Sequence, residues 1–128
     1  MTPEKTFTGP IAAQAQSRGY IDSAQVQTRA GQQLLVVKGW VSEADGSAIQ
    51  GDIVLQISGK GRRSIFLQTL KVPRPDVNHA LNVPDDADRG FSRIVANTFE
   101  PGEYDIAVLR DDGGTLRACG IQETIHIP

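Results

Sequence analysis

Tyr104-Asp105-Ile106-Ala107-Val108-Leu109-Arg110-Asp111-Asp112-Gly113-Gly114-Thr115-Leu116 decides the fold class. Tyr104, Ile106 and Val108 alternate with Asp105, Ala107 and Leu109. A period of two sends alternate side chains to opposite faces of a strand. Asp111-Asp112-Gly113-Gly114 then breaks the run with turn residues, and glycine reaches positive φ without a steric penalty. The apolar phase resumes through Ile121, Ile125 and Ile127. Strand, turn and strand predict an antiparallel hairpin that closes the chain.

Working back from that hairpin, the same rhythm recurs. Phe91, Val95 and Phe99 fall on one side of a strand over 91–99, and Ile65 to Leu70 reads as another. Ile53, Leu55 and Ile57 share one face of 52–57. Leu34 to Val41 is apolar on both faces and reads as a central strand, and Tyr20 to Val26 as a first one. Asp45-Gly46, Ser58-Gly59-Lys60-Gly61 and Glu100-Pro101-Gly102 supply turn chemistry between them. Residues 72–84 break the rhythm. They hold Pro73, Pro75 and Pro84, too much proline for a paired strand. Pro75 in a first turn, followed by Val77, Ala80 and Leu81, predicts one or two helical turns that stop before Pro84. Seven short strands and one small helical crossover are expected, in a two-sheet antiparallel sandwich. The core should include Ile53, Leu55, Val95, Ile106 and Val108.

Composition agrees with one such domain. The chain has 128 residues, 39% of them apolar and 22% charged. At about 150 residues per domain that is a single unit. Residues 1–18 carry only Phe7 and Ile11 as large apolar groups and read as a lead-in with one helical turn near Ala12 to Gln16. The compact domain is expected over 19–128. A net charge of −2 argues against nucleic acid and against a polybasic membrane patch. No apolar run approaches the about 18 residues of a spanning helix, and Met1 to Lys5 does not open a signal peptide. With Cys119 alone, no internal disulfide forms.

Few motifs carry chemistry. Gly59-Lys60-Gly61-Arg62-Arg63-Ser64 approaches a dinucleotide fingerprint, but a strand follows where the helix should start. The ordinary reading is a solvated basic hairpin. Asp85, Asp86 and Asp88 crowd together as the oxygen ligands of calcium do, yet the twelfth position counted from Asp86 is Asn97 rather than Glu. A surface turn accounts for them. His79 and His126 lie far apart and Cys119 has no base beside it, so neither a zinc site nor a catalytic thiol is expected. No cofactor and no catalytic residue is assigned. Trp40, with Tyr20 and Tyr104, can be core or a platform for a sugar ring, and core is the ordinary use of a lone tryptophan. Tyr104, at a strand start just after Pro101-Gly102-Glu103, fits a tyrosine corner.

Taken in order, Gly19-Tyr20-Ile21-Asp22-Ser23, Gly39-Trp40, Arg74-Pro75-Asp76-Val77 and Gly90-Phe91 carry a resemblance. Over about residues 19–127 the chain resembles an accessory β-sandwich domain of bacterial glycosyltransferases and related cell-envelope polysaccharide proteins. The resemblance implies an Ig-like sandwich, no catalysis, and a role beside glycan-handling machinery in the envelope or cytoplasm. The domain would bind glycan or dock a transferase-type partner. Alternatively it is a structural module that associates through an edge strand or apolar patch. The candidate surface is the 73–90 crossover, with Arg74, Asp76, Asn78, His79 and Arg89. Arginine can hold an acidic sugar group bidentately, and Asp and Asn can bond hydroxyls. The ordinary alternative for Arg74 and Asp76 is a local ion pair that pins the crossover to the sandwich.

Overall fold

The computed structural model describes residues 16–128. Residues 1–15 of the lead-in expected over 1–18, with the helical turn expected near Ala12 to Gln16 except for Gln16 itself, lie outside the described residues, and the first strand already begins at Ser17. Eight strands and one helix follow: β1 (Ser17–Arg29), β2 (Gln32–Glu43), β3 (Ile53–Gly59), β4 (Ile65–Gln68), β5 (Leu70–Val72), α1 (Pro75–Leu81), β6 (Gly90–Ala96), β7 (Gly102–Asp112) and β8 (Thr115–Ile127).

The strands form two four-stranded sheets, ordered β1-β2-β6-β5 and β4-β3-β7-β8, with every pairing antiparallel. Lettered A to G with an extra C′, these orders are ABED and C′CFG, the strand arrangement of an Ig-like sandwich. Alternating side chains from both sheets meet in one core that contains Leu35, Val37, Phe91, Leu55, Ile57, Ile106, Val108 and Ile127. The tyrosine corner is present: Tyr104, near the start of β7, donates its hydroxyl to the Glu100 carbonyl at 2.7 Å. Phe99 meets the Tyr104 ring edge-on, and Arg62 lies 5.0 Å from its centre, so the basic 59–64 turn braces this corner.

The sequence reading needs four corrections. Ile65 to Leu70 is two strands. At Thr69 the chain leaves one sheet for the other, with its backbone N–H and hydroxyl both donating to the Ile53 carbonyl at 3.0 and 2.9 Å. Pairing therefore continues to Val72, opposite Gly90, and stops where Pro73 removes a donor. Strand β6 ends at Ala96, so Phe99 reaches the core from the following turn, and Val95, near that end, is half-buried rather than buried. Trp40 is not core. Val37 and Val41 point inward on β2, so Trp40 points outward, and it is half-buried.

Helix α1 begins as read, with Pro75 in its first turn and Asp76 behind it. It ends at Asn82 in the left-handed conformation (φ 57°), whose N–H caps the His79 carbonyl. The hairpin at Gly113 and Gly114 has positive φ at both residues, as its two-residue loop requires.

Candidate functional site

The described residues include three exposed large apolar side chains: Tyr20 (63% exposed), Leu70 (70%) and Ile94 (44%). Register and alternation put all three on the outer face of the β1-β2-β6-β5 sheet. Ile21 and Phe91 point into the core, so their neighbours Tyr20 and Gly90 face outward. Tyr20 pairs with Trp40, and Trp40 with Gly90. Leu70 pairs with Ser92 and Lys38 with Ser92, one row further along.

Glycine at 90 makes room for Arg74. A Cβ there would lie 2.5 Å from Arg74 Cγ and 2.8 Å from Val72 Cγ2. The arginine stem therefore crosses β6 beside Trp40, and the row runs Tyr20, Trp40, Arg74. Its guanidinium donates from Nε and Nη2 to the two Asp76 oxygens at 3.0 and 2.9 Å, and from Nη1 to Asp22 Oδ2 at 2.7 Å. Asp22 occupies a bulge in β1, the irregularity between Ile21 and Ser23, which aims its carboxylate at the crossover. The Arg74 hydrogen bonds hold the Asp76 carboxyl down, at about 2. A groove of about 480 Å³ runs alongside, lined by Asp22, Ser23, Lys38, Val72, Arg74 and Ser92 among others.

The five crossover residues separate into two groups. Arg74 lines this groove, Asp76 pairs with it from outside the lining, and His79 is exposed on α1. Asn78 and Arg89 are instead 3% exposed each. Arg89 donates from Nε to the Gly46 carbonyl at 2.9 Å, and from Nη1 to Asn78 Oδ1 and Asp86 Oδ1, both at 3.0 Å. Asn78 Nδ2 donates to Asp85 at 2.8 Å. These two side chains lash the crossover to the turn after β2, and Asn78 also lines a separate pocket of about 360 Å³ with Pro73, Pro75, Asp85 and Asp86 among others. Asp85 and Asp86 are thereby engaged by Asn78 and Arg89 rather than converging, and no cluster of metal-ligating side chains forms among the described residues.

Sequence reasoning missed Asp22, Lys38, Leu70 and Ile94. Their signal was weak, because an exposed face becomes visible only once pairing register is known. A second charged cluster is structural. Arg110 meets Glu43 bidentately and Asp112 at 2.9 Å, joining the two sheets beside buried Cys119.

The chain matches no family model, no curated protein and no solved structure.

Proposed function

We propose that this domain is a non-catalytic accessory module of a bacterial cell-envelope glycan system, and that it binds glycan on the outer face of the β1-β2-β6-β5 sheet. The observation that carries this reading is that Tyr20, Leu70 and Ile94 stand exposed on one sheet face, the face that also holds the groove lined by Arg74 and Asp22. Large apolar groups that share one exposed face support a recognition role for it. The polar groups between them suit a ligand that is itself part apolar and part hydroxylated. The glycan context comes from the resemblance to glycosyltransferase-associated sandwiches, and the exposed apolar and polar groups of this face support it.

Trp40 makes the test direct, because it is the chain's one tryptophan and stands on that face. Titrating envelope polysaccharide fragments while following its fluorescence should give a saturable change, and Tyr20→Ala should weaken it. An unaltered Trp40 signal, with self-association that Leu70→Asp or Ile94→Asp abolishes, would refute glycan binding and establish the structural alternative.

A further inference from the structure

We propose that the groove takes a neutral, polyhydroxylated sugar ring in preference to a uronate or other anionic saccharide, an inference that rests on the glycan-binding reading above. The first argument is the state of Arg74. A guanidinium offers five N–H donors in a rigid fork. The Nε edge and both terminal nitrogens of Arg74 already serve Asp76 and Asp22. Two N–H donors remain, one on each terminal nitrogen, but two carboxylates already hold the single positive charge in charge-assisted bonds, so an anionic sugar meets a three-residue cluster of net negative charge.

The second argument is what remains open. A carboxylate has about four acceptor positions, and the Asp22 and Asp76 side chains are 40% and 67% exposed. Free acceptors attract hydroxyl donors and repel carboxylates. Ser23 and Ser92, also lining the groove, can give or take a hydrogen bond as the ligand requires. Charge points the same way. Lys38 and Arg74 of the lining face Asp22, and Asp76, paired with Arg74 from just outside the lining, brings the local charge to zero, so the groove does not concentrate anions.

The third argument is the platform. Tyr20 and Trp40 are cross-strand neighbours on the outer face. A pyranose presents a face of C–H groups, and laying it on aromatic carbon removes apolar surface from water while the ring hydroxyls reach outward. Here they would reach toward the two carboxylates.

The experiment is calorimetric titration of the full chain with cellohexaose, mannohexaose and a galacturonate oligomer of equal length, each at low and at high salt. A neutral oligomer is expected to bind, with affinity changing less than about twofold with salt, since screening acts on charges. Tyr20→Ala, at an exposed position, should weaken it about tenfold by removing the stacking surface. Binding of the galacturonate alone, weakened by salt and abolished by Lys38→Ala, would overturn the neutral preference and leave glycan binding standing. Failure of every oligomer to bind would overturn both.

Discussion

Arg89 Nε donates to the carbonyl of Gly46 at 2.9 Å, across 43 residues of sequence. That bond, with the one to Asn78, fastens the helical crossover to the turn that follows β2. The outer-face groove depends on it indirectly, because Arg74 reaches Asp22 only if the crossover sits where it does.

Removing this fastening should be expensive. Arg89→Ala leaves the buried Asn78 amide oxygen and the Gly46 carbonyl without this donor, and hydrogen bonds from a charged group are worth roughly 1.5–3 kcal/mol. A urea midpoint indistinguishable from wild type would show that the crossover is held by something else.

The tyrosine corner should contribute less. Tyr104→Phe keeps the ring between Phe99 and Arg62 and deletes only the hydroxyl bond to Glu100. A neutral hydrogen bond contributes about 0.5–1.5 kcal/mol. Denaturant unfolding should show a loss in that range, and oligosaccharide affinity should stay the same because Tyr104 lies off the outer face.

Asp76 links the crossover to pH. Arg74 lowers its carboxyl from 3.8 to about 2 in the folded chain. A depressed folded value means that the pairing stabilises the fold above the unfolded value, about 3.9, and that this stabilisation fades as pH falls toward 2. Carboxyl-carbon NMR should find the Asp76 midpoint near 2, and Arg74→Ala should return it toward 3.8. A wild-type midpoint at the ordinary value would mean the ion pair does not persist in solution.

Cys119 should be inert. Burial pushes its thiol above the ordinary value, and the thiolate is the reactive form. A thiol-reactive disulfide reagent should modify it slowly in the native protein and fast in denaturant. Rapid native labelling would place the side chain nearer the surface.

Much of this architecture is legible in the chain because its causes are local. Period-two patterning at 53–57 and 104–108 gave strands whose inward residues are indeed buried, and Pro75 began the helix. The corner tyrosine also announced itself by its place after Pro101-Gly102-Glu103. Other features arise from contacts distant in sequence. Nothing in Phe66-Leu67-Gln68-Thr69-Leu70 marks a change of sheet, since the break is made by a hydrogen bond to Ile53. The turn at Ala30-Gly31 joins β1 and β2 through positive φ at both residues, with one glycine as its only cue. Burial of Asn78 and Arg89 runs against their polarity and follows from closure of the crossover on the 43–47 turn. Trp40 faces outward because alternation from Val37 and Val41 sends it there, which an apolar run on both faces conceals.

The change of sheet at Thr69 has a kinetic consequence. One short segment supplies an edge strand to each sheet, β4 to one and β5 to the other. Neither half can therefore mature as an independent folding unit. Strand β2 must also find β6, Leu34 opposite Ala96, before the first sheet exists. Such distant pairings incur loop-closure entropy before any contact offsets it, so this domain should fold on the slow, millisecond-to-second scale of non-local β topologies.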